Sequence, residues 1–368
     1  MEIRDVYLWL YGVVGCSGKT IEKIENQCNN LKDIFDFSVK TIYNLEGVNE
    51  KTKNRILDLK NRAYLDDYKE KLYRKKVLYT VQGDSDYPGR LFDIYDSPKV
   101  IFYKGNIERL NKNFSIGMVG SRKPTVYGKE CAKKISSELS GYGIDIISGL
   151  AIGIDAISQK SCIDSGGITF GVLGSGIDNP LPKTNIGLMN RIVECGGAVI
   201  SEHGIEKDVK PYYFANRNRI ISGLSDGVVV VEAAEKSGAL ITAEFAAEHG
   251  KNVFAVPGSI FSDMSRGCHN LIKDGAKPVS GIIDILESYE FMNISAASKK
   301  DKQSSVQQII DDESDIIVSV IKKHGEIGID SICEFTGMNI NKVNPAIEKL
   351  KLYDIIIETS AGKYSLRI

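Results

Sequence analysis

Asn113-Phe-Ser-Ile-Gly-Met-Val-Gly-Ser-Arg-Lys-Pro-Thr-Val-Tyr-Gly128 is a hydrophobic run that stops at Gly120, Ser121 and Arg122 and passes into a helix-like pattern. Physically this is a strand, a tight turn and a helix start. Such a turn leaves backbone N–H groups unpaired and aimed at one spot, with the positive end of the helix dipole behind them. That spot favours an anion, above all a phosphate. Arg122 adds a planar fork of donors matched to phosphate oxygens. The turn is not the G-x-G-x-x-G dinucleotide fingerprint, because the next glycine after Gly120 is Gly128, so a standard NAD site is disfavoured. A plainer reading fits this turn equally well: Gly120 turns the chain and Arg122 is a solvated charge.

On either side of this turn, from Phe114 to about Glu287, apolar runs and helical patterns alternate. The runs are Ile116–Val119, Ile144–Ile147, Ile168–Leu173, Ala198–Ile200, Gly227–Val231 and Val253–Val256, with helical patterns such as Lys129–Tyr142 and Leu240–His249 between them. This is the mark of an α/β fold, a mostly parallel sheet covered on both faces. Ligands of such sheets bind beyond the carboxyl ends of the strands, so the turns that follow the strands are the residues to inspect.

Those turns read Gly120-Ser-Arg122, Ser148-Gly-Leu-Ala-Ile-Gly-Ile-Asp155, Gly174-Ser-Gly-Ile-Asp178, Ser201-Glu-His203, Glu232-Ala-Ala-Glu-Lys-Ser-Gly238 and Pro257-Gly-Ser259. Gly149, Gly153, Gly174, Gly176 and Gly238 let backbone approach a ligand closely, and Ser237 offers a hydroxyl at a helix start. Sharp αβ turns alone account for each glycine singly, but less well for the Ser, Lys and Arg beside them. Lys183 follows Leu181-Pro182 where a loop enters its helix, within reach of a phosphate. Arg217 and Arg219, in Phe214-Ala-Asn-Arg-Asn-Arg-Ile-Ile221, diverge on a helix, so both cannot face one ligand. Phe214 is placed either to stack a base or to pack in the core.

Composition narrows the function classes. The 368 residues predict two or three domains at roughly 150 residues each. Lys and Arg number 47 against 48 Asp and Glu, so nucleic-acid contact must come from a local cluster of cations. Seven scattered cysteines with no C-x-x-C pair point to reduced thiols. No apolar run has the roughly 20 residues of a membrane span, and the start lacks a signal-peptide pattern, which predicts a cytoplasmic protein without a membrane partner. No Ser-His-Asp order, paired carboxylates or metal-ligand spacing is present, so no catalytic residue, metal or cofactor is assigned. Asp155, Asp178, Glu202 and Glu232 lie near strand ends, where helix capping or support of Arg122 and Arg217 is the expected role.

The flanks differ from the centre. Residues 1–65 read as a helical domain, with a helix-hairpin-helix-like stretch, Asn44 to Ile56, turned at Gly47 and a poorer version at Gly12 to Ile21. The motif is short, and a plain helical packing module accounts for it more readily than a DNA-phosphate contact. Gly-Cys-Ser-Gly-Lys-Thr20 is not a P-loop, because Val13 stands where that motif needs glycine. Tyr64–Lys112 reads as a charged, tyrosine-rich connector that ends in the strand Val100–Tyr103. The central domain spans 66–290, and 291–305 is a polar linker with little to bury. Residues 306–368 read as three helices (Asp315–His324, Ser331–Thr336, Lys342–Leu352) and two strands (Ile355–Glu358, Tyr364–Arg367) around Ala361-Gly362, a winged helix. Pro345 is expected in the first turn of its third helix. That helix carries only Lys342, Lys349 and Lys351 as cations, thin for a groove reader.

Taken in order, Gly120-Ser-Arg122 through Tyr127-Gly128, Ser148–Ala156, Val172–Asp178, Arg217–Ile221, Ser237–Ala243 and Val256-Pro-Gly258 resemble the DprA/Smf family over about Tyr79 to Leu286. The resemblance implies an extended Rossmann-like, doubly wound domain. It also implies a homodimer that binds and protects incoming single-stranded DNA and loads the recombinase RecA onto it in natural transformation, without catalysis. By motif, Arg122 and Lys183 carry over as phosphate contacts, with Gly120, Ser121 and Arg217 in the same pocket. After Asp155 the chain departs from the family's Ala-His pair and reads Ile157-Ser158. The central fold is also similar to LOG-type phosphoribohydrolases, but Glu232 to Glu244 lacks their Pro-Gly-Gly. A nucleotide-processing enzyme and a sensor of a nucleotide-like ligand are therefore the alternatives.

Overall fold

The computed structural model describes residues 2–289, 312–352, 355–360 and 362–366. They fall into two compact units, Met1–Ser288 and Tyr289–Ile368. The polar stretch 291–305, the start of the tail at 306–311, Ala361 and Arg367 lie outside the described residues.

The first unit begins with helices α1 (Ile3–Leu8, continuing as a wider turn Trp9–Val14), α2 (Gly18–Glu25), α3 (Val39–Tyr43), α4 (Glu50–Asp58) and α5 (Arg62–Arg74). Side-chain caps start four of them: Ser17, Ser38, Asn49 and Asn61 accept from Thr20, Thr41, Thr52 and Ala63 amides. Helices α3 and α4 form the hairpin expected at Gly47, which turns at a φ of 67°. Helix α5 corrects the reading of Tyr64 onward as a connector. Its buried Leu65, Tyr68 and Leu72 recur at helical spacing, a stripe masked in the sequence by the charges between them. The boundary placed at 65/66 falls inside this helix. The front helices bury Trp9, Ile21, Ile34 and Ile56 in one cluster with Phe102, Leu173 and Val199 of the sheet.

The sheet holds β1 (Leu78–Val81), β2 (Val100–Gly105), β3 (Ser115–Val119), β4 (Asp145–Ser148), β5 (Thr169–Leu173), β6 (Ala198–Ser201), β7 (Gly227–Val230), β8 (Asn252–Ala255) and β9 (Lys277–Pro278). Their spatial order is β1-β2-β6-β5-β4-β3-β7-β8-β9. From β6 to β9 every pairing is parallel, while β1 and β2 add an antiparallel edge. The crossovers are α6 (Val126–Gly141), α7 (Ile154–Asp164), α8 (Ile186–Glu194), α9 (Tyr212–Leu224), α10 (Gly238–Glu248) and α11 (Arg266–Lys273), and α12 (Ile282–Leu286) closes the unit. Every residue of β3, β4, β5, β6 and β7 is buried, as strands covered on both faces require. This is the mostly parallel sheet covered on both faces that the alternation predicts, in the Rossmann-like, doubly wound class that the resemblance implies. Strand order runs outward from β3 to β6 on one side and from β7 to β9 on the other, so the switch point lies between β3 and β7.

The second unit comprises α13 (Asp312–His324), β10 (Ile327–Gly328), α14 (Ile329–Thr336), α15 (Ile340–Leu352), β11 (Ile356–Ser360) and β12 (Lys363–Leu366). The strands pair antiparallel in the order β10-β12-β11. Ile317, Ile321, Ile332, Val343, Ile347, Leu350 and Tyr364 form its core. The three helices and two strands overlap the stretches read from the sequence, each helix beginning two or three residues earlier, with β10 added. Pro345 falls in the second turn of α15, because the helix starts at Ile340 and not at Lys342. Lys351 is held by Glu348 at 3.0 Å and Glu358 at 3.4 Å.

Candidate functional site

At the switch point three turns are stitched together by backbone. The Ser121 amide donates to the Glu232 carbonyl at 2.7 Å, and the Ser121 carbonyl accepts from the Ile154 amide at 3.1 Å. Close approach of these turns needs glycine at two positions. A Cβ on Gly120 would stand 2.7 Å from Ile154 Cγ1, and one on Gly153, at φ 91°, would overlap the Ser121 and Arg122 backbone. Above the stitched turns opens a cleft of about 550 Å³. Gly120, Ser121, Arg122, Phe214, Lys236 and the Ser237–Ala239 start of α10 are among its walls. The Ser237 hydroxyl caps α10 by accepting from the Ala239 amide at 3.3 Å, and the positive end of the α10 dipole is directed at the same space.

Two charges form the floor. Arg217 is 7 % exposed and donates through Nη1 to the Gly149 carbonyl at 2.5 Å and to the Val172 carbonyl, and through Nε to Asn218 Oδ1 at 3.1 Å. Its guanidinium thus ties the ends of β4 and β5 together. Gly149 is glycine because a Cβ there would lie 2.6 Å from Arg217 Cζ. Burial pushes the Arg217 pKa down to about 10; Asp155 opposes this and Arg122 adds to it. Asp155 is itself buried and accepts from the Gly149 and Ala151 amides at 3.1 and 3.4 Å. Burial raises its pKa, while Arg217, these amides and Arg122 pull it back. Glu232, 3 % exposed, accepts from the Thr125 amide at 2.8 Å and the Thr125 hydroxyl at 2.6 Å, which fixes the start of α6. Arg219 faces the other way, to Glu202 at 2.8 Å and Asp96 at 3.8 Å. The divergence expected of the two arginines is therefore present.

Arg122 differs from its buried neighbour. Its side chain is exposed, and among the described residues its guanidinium has no hydrogen bond or ion pair. The cleft can therefore receive an anion on Arg122, Lys236 and the amides of α10, over a floor whose own charges are already hydrogen-bonded to backbone groups.

Of the residues singled out from the sequence, Gly120, Ser121, Arg122, Arg217, Ser237 and Gly238 line this cleft. Gly149 and Gly153 lie behind the lining, under Arg217 and against the Ser121 turn. Gly174 and Gly176 are not in it. Gly174 seats Phe214, whose Cδ1 would be 2.8 Å from a Cβ there, and Gly176 packs against the Gly204 carbonyl. Lys183 does not join Arg122 in the cleft either. It follows β5, two strands from β3, roughly 10 Å across the sheet, and its ammonium donates to Asn179 Oδ1 at 2.7 Å. Lys183 is exposed on the same carboxyl-end rim. Lys236 and Asn218 were missed as individual residues. Lys236 belonged to a turn already flagged, and Asn218, which donates to the Gly238 carbonyl at 3.2 Å, carried no signal beyond its place beside Arg217. Among the described residues no group of three or more His, Cys, Asp or Glu is placed to hold a metal, and no helix is long and apolar enough to cross a membrane.

The family model of DNA recombination-mediator protein A matches residues 78–290. A DNA processing protein DprA of Bacillus subtilis is 42% identical over 223 residues, covering 60% of this chain and 75% of the relative. Its counterpart in Streptococcus pneumoniae is 41% identical over 226 residues, covering 61% and 79%. The crystal structure of the Streptococcus pneumoniae protein superposes with a TM-score of 0.68 at 34% identity, over 78% of this chain and 98% of that one. A Helicobacter pylori DNA processing protein A, described for its single-stranded DNA binding mode, gives 0.52 at 26% identity, over 58% of this chain and 96% of that one.

Proposed function

Because the chain belongs to the DNA recombination-mediator protein A (DprA/Smf) family, we propose that the switch-point cleft is where it holds single-stranded DNA, in a DNA-processing role in recombination that binds the strand and does not transform it. The observation that carries this reading is the exposed, unpaired Arg122 beside the amino-terminal end of α10, over a floor where Arg217 is satisfied by the Gly149 and Val172 carbonyls and Asp155 by the Gly149 and Ala151 amides. Phosphates of the strand sit on Arg122, Lys236 and the α10 amides, with little reading of base identity. Phe214, half-buried on the cleft wall, offers a ring edge to a base. Lys183 extends the cationic rim beyond the cleft and contacts the next phosphates. Arg217 and Gly149 act beneath, by shaping the floor.

The reading extends to a homodimer that joins two such grooves, raises avidity and hands the covered strand to the recombinase RecA in the cytoplasm. In the second unit, the order helix, strand, helix, helix, strand, strand supports a winged helix. With Lys351 held by two acids, protein contact is favoured over base reading. Anisotropy titration of labelled oligo-dT tests the cleft. Arg122→Ala is expected to weaken binding by about tenfold or more, the loss of one charge-assisted contact, with the melting temperature unchanged. Unchanged affinity at matched salt removes the site, and tighter binding of a free mononucleotide than of the oligomer supports a nucleotide sensor instead.

A further inference from the structure

A second cationic patch lies on the helical front, away from Arg122. At Gly15, the left-handed residue that ends the Trp9–Val14 turn and precedes α2, two cations from distant parts of the chain converge. Lys207 Nζ and Arg55 Nη2 lie 3.6 and 3.7 Å from where a Cβ on Gly15 would stand. Arg55 comes from α4 of the front, and Lys207 from the loop that joins β6 to α9. Lys210 follows on that loop, 5.9 Å from the centroid of the exposed Tyr212 ring.

Of the acids nearby, Glu206 is engaged with Lys71, Asp178 with Lys75 and Glu202 with Arg219, while Asp208, beside Lys207 in the loop, forms no ion pair among the described residues. Arg55 Nη2 donates to the Val13 carbonyl at 3.0 Å. Among the described residues none of Arg55, Lys207 and Lys210 forms an ion pair. Burial lowers the pKa of the Lys207 ammonium, Arg55 and Lys210 lower it further, and the Cys16 thiol and Asp208 oppose this weakly. Three cations around one turn against the single acid Asp208 leave a net positive charge that an incoming anion stabilises. The patch also carries aromatic surface, with Tyr212 edge-on to Tyr213 at 4.7 Å and Tyr213 stacked on His203 at 3.8 Å.

The loop supplies continuity. Pro211 and Phe214 line the cleft, so Lys210 and Tyr212 stand where a strand leaving it would pass. We propose that Arg55, Lys207 and Lys210 form a second phosphate seat at the Gly15 turn, with Tyr212 as a stacking platform. A single strand longer than the cleft runs from Arg122 past Phe214 and Tyr212 onto the helical front. The inference rests on the cleft reading and assigns the front helices a part in the same polyanion track. Stacking on an exposed ring and backbone neutralisation by clustered cations are the ordinary means of holding single strands.

Binding of the full chain to two lengths of oligo-dT tests it, one of about 6 nucleotides that fills the cleft alone and one of about 20 that reaches the front. The double variant Lys207→Glu/Lys210→Glu, exposed or half-buried and outside the cleft, is expected to weaken the long strand about tenfold and leave the short one unchanged. Its salt dependence on the long strand falls in slope by about 0.7 for each phosphate lost. Tyr212→Ala is expected to weaken the long strand only, independently of the charge change. An unchanged long-strand affinity in both variants overturns the seat. So does equal weakening of both lengths, which reports a general field, and so does weakening confined to duplex of the same length. Arg122→Ala keeps the two readings apart: if it changes neither length the cleft fails, whereas dependence on Arg122 without dependence on Lys207, Lys210 and Tyr212 removes the second seat alone.

Discussion

Arg122 and Arg217 face one cleft from opposite sides of the protein surface, and burial gives them different work. Arg217 lends its donors to the carbonyls of Gly149 and Val172 and stands by the buried Asp155. Arg217→Ala is expected to destabilise the fold by about 2–5 kcal/mol, because it leaves the buried carbonyls of Gly149 and Val172 without a donor and removes the cation whose field favours the charged form of the buried Asp155; urea unfolding measures it. Arg122→Ala is expected to leave the urea midpoint unmoved, since solvent replaces an exposed, unpaired side chain. A third residue ties stability to pH. Burial, then Lys207 and Arg219, hold the His203 pKa down to about 4, against 6.5 for the free side chain. The unfolded chain therefore binds a proton that the folded chain refuses between those values, and stability falls as pH falls through that window. His203→Phe, which keeps a ring against Tyr213, should flatten the pH dependence of urea unfolding there; equal slopes in variant and parent remove His203 as the source.

Among the elements, the starts of α7 and α10 matter most, because they close the cleft from beneath and from the side. Gly153 opens α7 at φ 91° with its α-carbon hydrogen against Ser121 and Arg122. Gly153→Ala adds both left-handed strain and an overlap, so it is expected to cost more than about 1 kcal/mol and to shift the Arg122 turn, seen as lost stability and weakened oligo-dT binding together. Ser237→Ala removes the α10 cap, at a cost of about 1 kcal/mol, and blunts the end of the helix that faces the strand. Helix α9 shows why periodicity was a poor guide here. Arg217, Asn218, Arg219, Ile220 and Ile221 are all buried, since the helix packs on several sides, and burial all round has no stripe to read.

The front helices and the sheet of the first unit share a core. The front helices share their cluster with Phe102, Leu173 and Val199 of the sheet, so a chain begun at residue 66 would cut α5 and uncover that face. It is expected to lose cooperative unfolding or to aggregate on gel filtration; a stable monodisperse truncation would show that the sheet holds its own core. Local information was enough for the alternation of strands and helices, the α/β class, the glycine-rich turns after the strands and Arg122 as a candidate at the first of them, because each rests on composition and spacing within a dozen residues. That Arg122 stands unpaired, without the carboxylate support expected from the sequence, is decided by the fold. Family motifs added the likeness to DNA-processing proteins. Contacts between distant residues decided the rest. Lys183 is as close to the turn motifs in sequence as other rim residues, yet β4 and β5 carry it away from Arg122. Lys236 joins the cleft because β7 lies beside β3, and Arg217 turns inward because the carbonyls of β4 and β5 are there to receive it. Strand order is a property of the folded sheet, and it alone determines which post-strand turns share a wall.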